Sequence, residues 1–404
     1  MLLIRRLGEL LAPGFGTAAA VAIGAGTLLL PFATLFFGHL LSAALGFAAF
    51  AVLWLEREQG AGVRSTVAAG AGLLAGLAVV AHYSLTLVGV VVGLYALATR
   101  PRVRNGLLYA GGVLVGVAPL MLYNWLAFGS PTHLSYRDAV LVGGASGHDV
   151  LGANASGFFG IGAPSLTTSG DLLFGSIGLV TLAPVVAVGV AGVVFLYSLR
   201  RAEAVVVIAV ALALLVSNSG YVDPFGGFSP GPRFLIPLLP FLGVPLALAL
   251  RRLPVATIAL ASVSIVIMVA VTVTQPLLAY DGRWLERLAN GSFGGHGPAP
   301  ALPFVLLVAA ATGLAAGTSR RPTFSRYQAL LGLGATGGWL LLFVAAPGVH
   351  DGRLWDELVA ATEVLAAATL LVGLAAAIHM IARQALDVSG PASAAAPSNA
   401  STRG

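Results

Sequence analysis

Runs of about 17–25 apolar residues recur along the whole chain with almost no charge inside them. Inside a bilayer such runs can satisfy their backbone groups only as helices or closed barrels, and their length is that of helices. Twelve runs are read, near 15–30, 39–55, 64–80, 83–99, 106–126, 173–198, 203–218, 233–250, 254–276, 301–318, 327–346 and 357–382. The expected fold is therefore an all-α polytopic membrane protein of about 12 transmembrane helices. Composition agrees: 58% of residues are hydrophobic and 9% charged, where soluble domains carry roughly a quarter charged. Many of the 52 glycines fall inside the runs, which suits close helix–helix contact in lipid.

Arginine placement sets the expected orientation. With the N-terminus in the cytoplasm, 16 of the 21 basic residues, all arginine, fall on cytoplasmic segments. The outer side keeps Arg137, Arg233, Arg283, Arg287 and Arg353. Both termini are then cytoplasmic. The net charge of +6 does not point to nucleic acid, because the arginines sit between apolar runs as topology signals. The absence of cysteine excludes disulfides and thiolate metal sites. Arg5 and Arg6 lead into membrane sequence without a small-residue cleavage site, so no cleavable signal peptide is expected. Residues 1–385 read as one membrane domain, and the Ala-, Ser- and Pro-rich stretch 386–404 as a disordered tail.

The outer loops carry the candidate chemistry. The longest is 127–172, whose aromatic and glycine cluster GFFGIGAP suits an ordered re-entrant or interfacial piece. The most informative is Ser217–Pro245, SNSGYVDPFGGFSPGPRFLIPLLPFLGVP. Its single base, Arg233, stands where a glycine- and proline-rich loop enters an apolar run. A charge at that edge is costly and usually has a partner or a job, although arginines also snorkel there as anchors. A guanidinium grips phosphate or carboxylate through two parallel hydrogen bonds. Pro232 fixes the backbone before it and Gly231 permits close approach. A helix beginning at Arg233 would add its positive dipole end, with a lipid tail lying against Phe234–Leu250.

Four stretches, in this order, resemble the bacterial GT-C membrane glycosyltransferases, relatives of the protein mannosyltransferases and aminoarabinose transferases. They are TLLLPFATLFFGHLLSAAL (27–45), APLMLYNWLAFGSP (118–131), LSYR with GFFGIGAP (134–137 and 157–164) and GGFSPGPRFLIPLLPF (226–241). The resemblance covers about residues 5–250. It implies transfer of a sugar from a polyprenyl-phosphate donor to a glycan, lipid or protein acceptor at the outer face of a bacterial inner membrane. No cofactor is implied beyond the donor, and no nucleic-acid partner. The family keeps its catalytic acid in the first outer loop, whereas here that loop, Pro31–Gly38, has none. The match aligns residues 1–14 with a cytoplasmic turn after the family's second helix, so that two helices and the acidic loop would precede Met1.

Sugar transfer needs a base for the acceptor proton and a cation for the departing phosphate. Arg233 is the first candidate for the phosphate and Arg137 the second. Tyr136, Tyr221 and His39 are candidate substrate contacts, with interfacial anchoring or solvation as the plain alternatives. Asp138 and Asp223 are the acids adjoining the matched outer motifs, and either could substitute as base. His82 stands where relatives often carry an acid next to tyrosine, which weakens an inherited role. Glu363 lies inside the last run, beyond the resemblance. His133, His148 and Asp149 lack the spacing of a helical metal site, so no metal site is assigned. Two other readings share these features: a transporter or flippase of lipid-linked glycans, and a non-catalytic partner of a complete glycosyltransferase.

Overall fold

The computed structural model describes residues 1–60, 62–133, 135, 160–227, 229–274, 277, 302–318 and 325–345. Among them every regular element is helical, and one isolated antiparallel bridge joins Ile161 to Tyr221. Helices α1 (Leu2–Leu11), α2 (Gly16–Ala25) and the short α3 (Leu29–Ala33) come first. Next are α4 (Gly38–Glu58), α5 (Ser65–Ala81), α6 (Leu85–Ala98) and α7 (Arg102–Phe128). Two short helices, α8 (Leu166–Phe174) and α9 (Leu179–Leu182), lead into α10 (Val185–Leu199) and α11 (Arg201–Ser219). A 3-10 helix (Arg233–Leu238) runs straight into α12 (Leu239–Arg252), followed by α13 (Pro254–Thr274), α14 (Leu302–Ala316) and α15 (Arg326–Ala345).

Among the described residues, five helices are long and apolar enough to cross a membrane: α4, α7, α11, the continuous Arg233–Arg252 and α13. A sixth arises if the bent pair around Pro184 counts as one span. The protein is thus an all-α chain of membrane-protein type. Most helices coincide with the apolar runs to within a few residues. The run 357–382, Glu363 and the tail 386–404 lie outside the described residues.

Two runs, and the residues before them, fold differently from expectation. The run 15–30 does not make one helix. Thr27 is fully buried and its hydroxyl donates to the Ile23 carbonyl at 2.6 Å, while Gly26 packs against Ser264. The chain breaks there between α2 and α3. The run 173–198 is not straight either. Pro184 has no N–H to give the preceding turn, and the segments Leu166–Leu182 and Val185–Leu199 meet at 94°. The residues before Gly16, expected as a turn, include a ten-residue helix. Helix α1 packs into the bundle parallel to α12, with Ile4 against Gly243 and Gly8 against Ala247. Glu9 closes the hairpin by accepting from the backbone N–H of Gly14 (2.6 Å) and Gly16 (2.9 Å), donors that the start of α2 cannot satisfy internally.

Small residues decide which helices touch. Helices α5 and α7 run parallel and meet through two glycine pairs spaced by four, Gly72–Gly76 and Gly112–Gly116. A Cβ on Gly116 would stand 2.7 Å from the Leu73 carbonyl oxygen and 2.9 Å from the Gly76 Cα. Such backbone-to-backbone approach is what small-xxx-small spacing permits in lipid, where dispersion packing rather than water exclusion drives association. Helix α12 is the centre of the bundle: every residue from Leu239 to Leu250 is buried.

One end of the bundle gathers arginines, and several are paired. Arg57 Nη1 donates to Glu203 Oε1 at 3.0 Å, and the Tyr95 hydroxyl donates to the same oxygen at 2.7 Å. Arg200 makes a two-pronged pair with Glu58 at 2.9 and 3.0 Å. Arg64 pairs with Glu56, and Arg104 donates to the Val63 carbonyl at 2.7 Å. These contacts join the ends of α4, α6 and α10 to the starts of α5, α7 and α11. The start of α4, the end of α5 and the Ser217–Arg233 stretch therefore share the opposite end.

Candidate functional site

At that opposite end two histidines meet. Phe37 has extended backbone and precedes the first turn of α4, whose second residue is His39. Helix α5 stops at Ala81, and His82 turns extended, φ −162° and ψ 121°. Gly38 brings the two together: a Cβ there would lie 2.6 Å from the Ala81 carbonyl oxygen. The imidazole centroids of His39 and His82 are then 4.4 Å apart. Ser84 fixes the second ring through a 2.7 Å contact between its hydroxyl and His82 Nδ1. Burial, then the nearby Arg233 charge, holds the His82 imidazole below its ordinary pKa, so it stays neutral at neutral pH. His39 is 5% exposed, and neither of its ring nitrogens has a hydrogen-bond partner among the described residues. The rings of Phe32, Phe37 and Phe234 surround it at 5.7–5.9 Å.

The Ser217–Arg233 stretch supplies the cation. Residues 160–162 pair with 220–222 through Gly162 N–H to Gly220 O (2.8 Å) and Val222 N–H to Gly160 O (2.9 Å). This pins the loop after α11. The Tyr221 ring stands edge-on to Phe234 at 5.4 Å. A turn follows, closed by Gly226 N–H to Asp223 O at 3.0 Å, with Gly226 and Gly227 at φ +80° and +73°. Only glycine takes consecutive positive φ cheaply, and the Arg233 side chain lies directly against Gly226. Further on, Ser229 donates to the Gly231 carbonyl at 2.6 Å, and Gly231 packs between Leu28 and Leu182. The outcome is a guanidinium held 5.3 Å from the ring centres of both Phe37 and Phe234. A cation over two ring faces keeps its charge while its stem is positioned.

Two expectations are corrected here. Arg233 does not open an α-helix: Pro237 interrupts the run, residues 233–238 are a 3-10 helix, and α12 begins only at Leu239. Nor can a lipid tail lie along α12, since protein covers it on all sides.

Of the candidate residues, Arg233, His39 and Tyr221 converge on one ring, that of Phe234. Asp223 is joined to them through the turn that packs on Arg233. Tyr136, Arg137 and Asp138 lie outside the described residues. Phe37 and Phe234, and the pairing role of His82, are the site features sequence reasoning missed. The available signal was His82–Tyr83–Ser84, a polar triplet between two apolar runs. Among the described residues no three histidine or carboxylate side chains gather as a metal set. The chemistry on offer is anion binding by the Arg233 guanidinium and hydroxyl recognition by the imidazoles. Comparison with known families, with characterised proteins and with solved structures yields no match.

Proposed function

We propose that the protein holds a polyprenyl-phosphate-linked sugar at the outer face of a bacterial cell membrane and transfers the sugar to a glycan, lipid or protein acceptor. The observation that carries this reading is the Arg233 guanidinium set over Phe37 and Phe234 beside a histidine pair, at the end away from the paired arginines. The reading includes a GT-C-like bundle of about twelve spans with both termini cytoplasmic. Arg233 takes the phosphate, which enters from the loop side because α12 is enclosed. Asp223 is the described acid in this cluster and the candidate base. A second reading, a phosphate-lipid-binding partner of a complete transferase, is favoured by the rings of Phe32 and Phe37 standing in the acid-free loop Pro31–Gly38.

Binding of polyprenyl phosphate to protein in nanodiscs tests the assignment. Arg233→Lys keeps the charge but loses the fork, so it should bind more weakly. Arg233→Ala should lose about one to two decades of affinity, the worth of a charge-assisted contact. Equal binding by Arg233→Ala and wild type makes Arg233 an interfacial anchor and refutes the site. A sugar-transfer assay separates the two readings: Asp223→Asn should abolish transfer if the chain is the enzyme and leave a partner's transfer intact.

Orientation has its own test, since the chain carries no cysteine. Gln59→Cys, beside the paired arginines, should react with an impermeant maleimide only in broken cells. Thr132→Cys, after α7, should react in intact ones. The reverse pattern rules out an outer site.

A further inference from the structure

We propose that His39 and His82, with the rings of Phe32, Phe37 and Phe234, form a subsite for the hydroxyl-bearing sugar ring of the lipid, beside the phosphate. The proposal rests on the reading of Arg233 given above and divides recognition in two. Arg233 reads charge, and the histidine pair reads hydroxyls.

The argument starts from His39. A neutral imidazole offers one donor and one acceptor. Burying both without partners costs stability that an apolar side chain of similar size would not cost. Three phenyl rings surround it, and a leucine would suit them as well. A donor and an acceptor on one small ring match neighbouring hydroxyls of a sugar, each of which both donates and accepts. The adjoining phenyl faces are negative at the centre and suit the C–H face of the same ring. The His82 ring, already oriented by Ser84, lies 4.4 Å from that of His39. Arg233 lies over two of the same phenyl rings, so one ligand can reach both halves.

Full-length protein in nanodiscs is titrated with polyprenyl phosphate and with its mannose- and aminoarabinose-bearing forms. Wild type should bind one sugar-bearing form about tenfold tighter than the bare lipid, the effect of one buried hydrogen bond being returned. His39→Leu should erase that preference, keep the bare-lipid affinity and melt higher than wild type without ligand. His39→Gln, which keeps a donor and an acceptor, should retain part of the preference. Should His39→Leu not insert, His82→Phe carries the same test, keeping the ring and removing the nitrogens. Absence of any preference in wild type, or its survival in the variants, overturns the subsite while leaving the Arg233 reading in place. Failure of wild type to bind bare polyprenyl phosphate overturns both.

Discussion

Gly112→Leu should uncouple α5 from α7 and take the histidine pair with it. A Cβ on Gly112 would run into the backbone carbonyl of Ala69 and lie 2.8 Å from the Leu73 amide nitrogen. Backbone cannot rotate aside as a side chain end can, so the helices must separate along the whole Gly72–Gly76 and Gly112–Gly116 seam. Overpacking of this kind costs about 3 kcal/mol, at the upper end of single-substitution effects. The loss reaches the site because His82 is the residue that ends α5. The neighbouring Gly111 is the control, since nothing lies within 4 Å of a Cβ there. Gly111→Ala should leave stability unchanged or slightly raised, through helix propensity. Thermal unfolding in detergent with both variants decides the matter. Equal melting temperatures would mean that the glycine seam does not hold α5 to α7.

That seam also marks what the sequence can and cannot disclose. Apolar runs locate helices because bilayer thickness and backbone satisfaction leave few alternatives. Which helices touch depends on matched small residues far apart in the chain, and a single sequence does not align Gly72 with Gly112. Breaks are similar. Gly26, Thr27 and Pro184 are ordinary residues inside apolar runs until Ser264 packs beside the first and the chain bends at the last. At the site, Arg233 and His39 were legible as polar residues at apolar edges. Their meeting was not, because it depends on Gly38 seating on Ala81 and on Gly226 seating beneath Arg233. The α-helix expected to open at Arg233 gives way to a 3-10 helix for a local reason: Pro237 has no N–H for an α-helical bond.

The arginine end was read only as a topology signal, yet it contains the largest electrostatic commitment in the described residues. Glu203 is 2% exposed and one of its oxygens accepts from both Arg57 and Tyr95, joining α4, α6 and α11. Arg57 has a 44% exposed side chain and can turn to water when the carboxylate is removed. The Tyr95 hydroxyl cannot, because Tyr95 is 3% exposed. Glu203→Ala should therefore cost about 2–3 kcal/mol, the unmet hydroxyl dominating, and less than a fully enclosed ion pair would. Glu203→Gln keeps an acceptor for Tyr95 and should cost about 1 kcal/mol. Tyr95→Phe made together with Glu203→Ala should recover part of the loss, since the stranded hydroxyl is gone. If the double variant melts at the sum of the single losses, Tyr95 and Glu203 are not coupled and the three helix ends are held by packing alone.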